Sequence, residues 1–185
     1  MPIRAATTAD AAAVAAIYAP HVTHGNASFE LEAPSTEVMA ERIQGTLRTH
    51  PWLVDDDGQQ VRGYAYASGH RTRAAYQWSC EVSVYVAAAA HRQGVGRGLY
   101  EALFPLLVRQ GFFSAYAGIT LPNPGSVALH EAMGFTPIGV FENIGFKGGT
   151  WRDVGWWQLA LQPRRPPDGP PLPFDPAWVG APDVG

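Results

Sequence analysis

Three glycines stand close together near the middle of the 185-residue chain, in the segment HRQGVGRGLYEAL. Gly94, Gly96 and Gly98 lie between an alternating apolar segment, typical of a strand, and a segment whose leucines recur at helical spacing. Glycines cost backbone entropy there, but they let a ligand approach the main chain closely. Because unpaired N–H groups at a helix N-terminus carry partial positive charge, this pattern predicts a site for a phosphate or pyrophosphate.

The glycine run does not fit two common phosphate-binding fingerprints. A P-loop closes with Gly-Lys-Ser or Gly-Lys-Thr, and the sequence has no such run. A Rossmann fingerprint needs its third glycine one position later than Gly98 and an acid about twenty residues on. A glycine-rich turn without any ligand stays open as the alternative. His91, Arg92 and Arg97 add positive or titratable charge beside the glycines, which favours the anion site.

One acidic residue lies in the clearest strand pattern of the chain, AAYQWSCEVSVYV. This residue, Glu81, falls on the face opposite an apolar row formed by Tyr76, Trp78, Cys80, Val82, Val84 and Val86. It is either a surface carboxylate or, in a half-buried cleft, a general base for a reaction. Cys80, the single cysteine, excludes an internal disulfide, and we interpret it as core packing rather than as a nucleophile.

The first half of the chain predicts the elements that lead to this strand. A short strand, PIRAA, precedes a helix that begins at the capping residues Thr7 and Asp10 and ends near Ala19. The segment APHVTHGNASFELEAPS is predicted to be a loop, long enough to have a function of its own. A second helix is expected over residues 36–49, followed by a hairpin over PWLVDDDGQQVRGYAYASG.

The second half predicts a helix after the glycines, with a stripe of four leucines at positions 99, 103, 106 and 107. Pro105 lies inside it and is expected to bend it. A strand, FFSAYAGIT, a short helix, PGSVALHEAM, and a closing hairpin up to Leu161 follow. The elements therefore form one compact α/β unit.

The residues beyond Leu161 differ in composition from the rest, because they hold half of the sixteen prolines. Such a segment cannot form a helix or a central strand. It is either an extended tail that docks through Phe174 and Trp178 on the body or on a neighbour, or it is disordered.

Composition narrows the class of protein. The chain is 46% hydrophobic, which suits one domain, and its formal net charge of −3 without any basic run argues against a nucleic-acid partner. The six histidines lack metal-ligand spacing, so no metal is expected. Without a signal-peptide pattern or a long apolar run, we expect a cytoplasmic protein that does not span a membrane and binds a small molecule.

The order of elements and the segment HRQGVGRGLYEAL resemble the GNAT superfamily of acyl-coenzyme A-dependent N-acetyltransferases, whose fingerprint is Gln/Arg-x-x-Gly-x-Gly/Ala. His91 departs from it, whereas Arg92, Gly94 and Gly96 fit. HPWLV, RTRAAYQWSCEVSVYV, QGF, LPNPGSVALHEAMGF and GGTWRDVGWWQLAL resemble one branch, the phosphinothricin and methionine sulfoximine or sulfone acetyltransferases. The resemblance covers about residues 3–161.

The resemblance implies an α/β (α+β) GNAT fold. Its central mixed, mostly antiparallel sheet should have about six to seven strands, splay at the cofactor site and be flanked by about four helices. It divides the chain into an acetyltransferase domain, 1–162, and a Pro-rich C-terminal tail, 163–185.

The resemblance also implies roles for individual residues. Glu81 would be the general base, directly or through a water, and His130 would assist proton transfer or orient the substrate. Acetyl-CoA would be the acetyl donor, held by Val84, Tyr85, Val86, Arg92, Gln93, Gly94, Val95, Gly96, Arg97, Gly98, Asn123 and Ser126. For Asn123 and Ser126, ordinary helix capping is the alternative. The substrate would contact Phe29, Arg71, Arg73, Tyr76, Ser83, Tyr85 and Val154.

The expected function is direct acetylation of the amino group of a small amino acid or a toxic analogue, and hence herbicide resistance. A homodimer is expected from the resemblance alone. An acetyltransferase for an antibiotic or a protein N-terminus, and a non-catalytic acyl-CoA-binding module on the same fold, remain the alternatives.

Overall fold

The computed structural model describes residues 3–181, so Pro2 of the predicted first strand and the last four residues of the tail lie outside it. Seven strands form one sheet in the order β1-β2-β3-β4-β5-β7-β6. In chain order they are Ile3–Ala5, Trp52–Asp56, Val61–Gly69, Ser79–Val86, Ser114–Leu121, Thr136–Lys147 and Thr150–Ala160. Only the β4–β5 pair is parallel, which confirms a mixed, mostly antiparallel sheet.

Four α-helices flank this sheet. They are α1, Ala11–Thr23; α2, Thr36–Leu47; α3, Val95–Gln110; and α4, Pro124–Ala132. The predicted capping pair is present, because the main-chain N–H of Thr7 donates to Asp10 Oδ2 at 2.7 Å. Helix α1 runs past the predicted end at Ala19 and contains Pro20. Val22, two residues beyond this proline, is buried with residues of α1 and α2, so the last turn of the helix is part of the core.

The predicted long strand around Glu81 is wrong at its start. Residues 74–76 form a 3-10 turn, and β4 begins only at Ser79, so Tyr76 and Trp78 both precede the strand and are not part of its apolar row. The partner strand β3 ends at Gly69, which pairs with Cys80. Earlier residues therefore have no neighbouring strand to complete their hydrogen bonds, and they close a local turn instead.

The two faces of the central strands bury different helices. Leu53, Ala65 and Val82 pack with α3 on one face, whereas Val54 and Tyr64 pack with α1 and α2 on the other. Cys80 belongs to the α3 side and is fully buried, as the alternation predicts. Its burial raises the pKa of the thiol, which disfavours the reactive thiolate and supports a packing role.

Strands β4 and β5 pair only over a short length and then separate. Ser79, Cys80 and Glu81 pair with residues 114–116, and the ladder stops there. Beyond Glu81, β4 stays with β3 up to Val86, while β5 stays with β7 up to Leu121. This opening confirms the expected splay of the sheet, and it leaves one edge of Val82–Val86 without a strand partner.

The Pro-rich tail docks on the body of the same chain over its described part. Phe174 is 6% exposed and joins the core beside α3. The main-chain N–H of Leu172 donates to the main-chain oxygen of Gln110 at 2.7 Å, and the Gln110 side chain donates back to Leu172 O. The guanidinium of Arg109 lies 4.6 Å from the centre of the Trp178 ring. The two aromatic residues singled out by the sequence thus anchor the tail.

No helix within residues 3–181 combines the length and the apolar character needed to cross a membrane.

Candidate active site

A groove of about 690 Å³ occupies the opening between β4 and β5. The start of α3 borders it on one side, and α4 borders it on the other. Most residues predicted to hold a coenzyme line it: Val84, Tyr85, Val86, Arg92, Gly94, Val95, Gly96, Arg97, Asn123 and Ser126. Ser83 and His130 line it as well.

The other predicted coenzyme residues, Gln93 and Gly98, do not line this groove. The side chain of Gln93 donates to the main-chain oxygen of Ala89 at 2.8 Å. Gly98 lies one turn inside α3, where its N–H donates to Gly94 O at 2.9 Å and forms the first helical hydrogen bond. Both residues therefore stabilise the turn and the start of α3, and they do not form the wall of the groove.

The turn between β4 and α3 leaves a run of main-chain N–H groups unpaired. Arg92 and Gly94 both have left-handed backbone, with φ of 61° and 81°. In the part of the chain that the structure describes, none of the N–H groups of residues 92–97 has an acceptor. These groups sit at the positive end of the α3 dipole, so the turn is built to accept an anion.

The glycines of the turn meet different physical demands. Gly94 adopts a conformation that costs side-chain-bearing residues energy, although a Cβ there would face open space. A Cβ on Gly96 would lie only 3.0 Å from Leu129 Cδ2 and 3.6 Å from Val86 Cγ2. Gly96 therefore lets α3 start directly against β4 and α4. The sequence indicated a close ligand approach for the glycines but gave no sign of this packing role.

The charge of the groove matches an anionic ligand. Arg92 and Arg97 line it, and no acidic side chain is found among its described lining residues. His91 anchors the turn, because its Nε2 lies 3.0 Å from the main-chain oxygen of Val86. Phosphate oxygens would thus meet unpaired N–H donors and two guanidinium groups.

His130 lies at the inner wall of the groove and is 4% exposed. Its Nδ1 is 2.8 Å from the main-chain oxygen of Ser126, which can only accept, so Nδ1 carries a proton. Tyr100 Oη then donates to Nε2 across 2.9 Å. Burial lowers the pKa of His130 below its ordinary value. Both ring nitrogens are engaged, and proton transfer at this residue would first have to break one of these bonds.

Asn123 and Ser126 form the cap of α4. Asn123 Oδ1 accepts from the main-chain N–H of Ser126 at 3.1 Å, which is the capping arrangement that the sequence left open. Both residues also line the groove. This capping contact holds both residues at the wall of the groove, so a role in capping α4 and a role in binding the coenzyme are compatible.

Glu81 lies beside the groove, at the point where β4 leaves β5. Its side chain is 34% exposed, and Oε1 is 2.9 Å from Nδ1 of His70. His70 was not among the predicted site residues. The antiparallel β3–β4 register, which pairs Ser68 with Glu81, brings it there. No spacing in the sequence signals this contact, because it depends on how two strands align.

A second cavity, of about 270 Å³, lies at the opposite end of β4. Arg71 and Tyr76, both predicted to bind substrate, line it together with residues that include His50, Gln77, Ser79 and the tail segment 171–173. The structure therefore places these two residues on the far side of Glu81 from the groove. Arg73 caps the neighbouring 3-10 turn and lines neither cavity.

The long loop between α1 and α2 carries Phe29, another predicted substrate residue. The ring of Phe29 covers Gly145 on β6 so closely that any side chain at that position would overlap it. Lys147 fixes the loop, because its Nζ donates to the main-chain oxygen of Ser28 at 2.6 Å. Val154 pairs with β5 and β6 on strand β7 and lines neither cavity.

The described residues contain no group of three or more His, Cys, Asp or Glu side chains that could hold a metal ion.

A comparison with known protein families agrees with this arrangement. Residues 3–156 match the family described as acetyltransferase (GNAT) domain, and the chain belongs to this family. The predicted resemblance is thereby confirmed, and the chain is an acetyltransferase.

Individual relatives are similar over most of their length. The chain is 39% identical over 165 residues to phosphinothricin N-acetyltransferase of Streptomyces viridochromogenes, covering 89% of this chain and 90% of the relative. It is 33% identical to L-methionine sulfoximine/L-methionine sulfone acetyltransferase of Salmonella typhimurium, covering 91% and 99%. Among solved structures, the phosphinothricin acetyltransferase of Sinorhizobium meliloti in complex with AcCoA superposes with a TM-score of 0.82 at 36% identity, covering 87% and 89%.

The burial of His130 predicts a pH-dependent stability. Its pKa is lower in the folded chain than the unfolded value of about 6.5, so the unfolded chain takes up this proton first as the pH falls. The stabilisation is complete above about pH 6.5 and is lost progressively below it. In denaturant titrations from about pH 7.5 to about pH 5.5, the free energy of unfolding of His130→Asn should fall less than that of wild type.

Burial lowers the pKa of His21 and His50 as well. The stability of the variant should therefore still fall with pH, but less steeply than that of wild type. Circular dichroism at the upper pH should show that the variant is folded. Equal slopes for the two proteins would contradict the prediction.

Proposed function

We propose that the chain transfers the acetyl group of acetyl-CoA to the amino group of a small amino acid or analogue of the phosphinothricin, methionine sulfoximine or methionine sulfone type. The observation that carries the proposal is the run of unpaired N–H groups over residues 92–97, at the edge of a groove that leads to Glu81. The names of the relatives support this class of substrate.

The groove residues fit the coenzyme by their donors and charge. The N–H groups of the turn, with Arg92 and Arg97, would hold the pyrophosphate. The unpaired edge of residues 84–86 offers main-chain groups to the pantetheine arm and an N–H to the thioester carbonyl. When bound, acetyl-CoA supplies an activated acetyl group, and Asn123 and Ser126 would flank it.

Glu81 is proposed as the general base. An ammonium group cannot attack a thioester, so its proton must pass to Glu81, directly or through a water. The amine nitrogen then bonds to the carbonyl carbon, the carbon–sulfur bond breaks, and the thiolate takes up a proton. The transfer is proposed to be direct, because the only thiol, Cys80, is buried in the α3 core and unsuited to carry an acetyl group.

Arg71 is proposed to hold the anionic end of the amino acid. Arg71 lines the second cavity together with Ser79, whose backbone lies about 7 Å along β4 from that of Glu81. A small amino acid could therefore place its amine at Glu81 and its carboxylate or phosphinate toward the guanidinium fork of Arg71. Tyr76 shares this cavity.

The substrate-binding roles of the other predicted residues rest on the family resemblance alone. Ser83 and Tyr85 line the groove, whereas Phe29, Arg73 and Val154 line neither cavity. A part in herbicide resistance also rests on the resemblance alone.

The proposal is tested by steady-state kinetics with acetyl-CoA and a panel of phosphinothricin, methionine sulfoximine, methionine sulfone, ordinary amino acids and an aminoglycoside. Glu81→Gln should lower kcat by about two to four orders of magnitude with little change in the KM for acetyl-CoA, since a base acts on the amine. The exposed Glu41 is the matched control, and Glu41→Gln should leave kcat unchanged.

Wild-type kcat retained by Glu81→Gln would overturn the assignment of the base. Tight binding of acetyl-CoA without turnover on any amine would favour a non-catalytic module instead.

The turn gives a second test. Gly94→Ala should raise the Kd for acetyl-CoA about ten-fold, because a side chain at φ of 81° costs about 1–2 kcal/mol and displaces the N–H donors. Gly58 has a φ of 89° in an exposed turn away from the groove. Gly58→Ala therefore introduces similar strain and should leave the Kd, measured by calorimetry, unchanged. Equal effects of the two substitutions would argue against the turn as the binding site.

A homodimer through β6 is also proposed. This edge strand and its hairpin partner expose six large apolar side chains: Ile138, Val140, Phe141, Ile144, Phe146 and Trp151. An unpaired apolar edge can pair with the same edge of a second copy about a two-fold axis.

Analytical ultracentrifugation tests the dimer. Ile144→Glu should convert it to a monomer, because the substitution buries a charge at the centre of the interface. Val108→Glu, at an exposed position of α3 on a different element from β6 and its hairpin partner, should leave the dimer intact. A wild-type monomer at micromolar concentration would overturn this proposal.

A further inference from the structure

The contact between His70 and Glu81 is the most specific polar feature beside the groove that the proposed reaction has not used. His70 Nδ1 lies 2.9 Å from Glu81 Oε1. An ionised carboxylate only accepts hydrogen bonds, so Nδ1 must carry the proton. Within the described residues Oε1 has this one partner and Oε2 has none, which leaves the second oxygen open to a substrate.

The imidazole of His70 is held by aromatic contacts on several sides. It stacks on Tyr116 with ring centres 4.6 Å apart and planes 16° from parallel. The rings of Tyr76 and Trp156 meet its edge at 6.2 Å and 6.0 Å. Only 14% of its side chain is exposed. A ring confined in this way has a fixed orientation, and the N–H bond that it directs at Glu81 is fixed with it.

We propose that His70 is a positioning residue for the catalytic carboxylate: its Nδ1–H holds Glu81 in the rotamer that presents Oε2 to the amine. This inference rests on the proposed function of Glu81. An unrestrained glutamate on a half-exposed strand would sample several rotamers, and each wrong one removes the base from the reacting nitrogen. The hydrogen bond selects one rotamer before the substrate arrives.

The geometry separates this role from coenzyme binding. His70 does not line the groove, and the β3–β4 ladder holds the backbone of Glu81 through the pairing of Ser68. Loss of the imidazole should therefore leave the strand and the KM for acetyl-CoA unchanged while it lowers kcat. A general weakening of the fold would instead change the KM for acetyl-CoA as well as kcat.

Two substitutions distinguish the hydrogen bond from the packing. His70→Asn keeps an N–H donor near the position of Nδ1 but loses the ring, whereas His70→Phe keeps a ring on Tyr116 but loses the donor. With acetyl-CoA and the best amine of the panel, His70→Phe should lower kcat about ten-fold or more, because a hydrogen bond to a charged group is lost. His70→Asn should stay within about three-fold of wild type.

A double-mutant cycle shows whether His70 acts through Glu81. In the Glu81→Gln background, His70→Phe should cost almost nothing further, since the group that it positions is gone. Exogenous imidazole should partly restore kcat to His70→Ala and should not restore it to the double variant. Thermal unfolding of each variant shows that it is folded during the assay.

The outcomes distinguish failure of the positioning role of His70 from failure of the proposed function. If wild type turns over but His70→Phe is as active as His70→Asn, or if the cycle is additive, the positioning role is wrong and the proposed function stands. If wild type binds acetyl-CoA yet acetylates no amine, the proposed function fails and the role of His70 falls with it.

Discussion

The separation of β4 from β5 beyond Glu81 is the constraint on which the rest of the site depends. A parallel pair that stops after residues 79–81 leaves the edge of 82–86 without a strand partner and opens a groove through the sheet. A continuous ladder would have used those main-chain groups and closed the space. The groove, the turn at its edge and the position of Glu81 beside it all follow from this one break in pairing.

The glycine turn connects that break to the helix. Gly94 supplies a left-handed residue at the N-cap of α3, and Gly96 lets the helix approach Leu129 and Val86. Because the helix starts so close to β4, the residues that carry most of its unpaired N–H groups line the groove. The two glycines thus act differently: a side chain at Gly94 would strain the backbone of the turn, whereas a side chain at Gly96 would crowd Leu129 and Val86.

The tail adds a wall to the second cavity. Phe174 in the core and the reciprocal bonds of Leu172 with Gln110 hold the segment, and residues 171–173 then line the cavity that contains Arg71. Proline removes N–H groups that would otherwise need partners on an extended segment, so such a segment can lie on a surface at low cost. The composition marked this segment as different, but only the docked aromatic rings show where it lies.

Local spacing and residue type were enough to predict the order of strands and helices, a glycine turn between strand and helix, the buried position of Cys80, and Glu81 as the one acid of its strand. The folded chain was needed to show that Tyr76 leaves the strand, that both nitrogens of His130 are hydrogen-bonded, that Arg71 lines a separate cavity, and that His70 contacts Glu81. Each of these depends on strand register or on packing between distant segments. Local spacing carries no information about such contacts, because the free energy that selects them comes from burial and pairing across the whole fold.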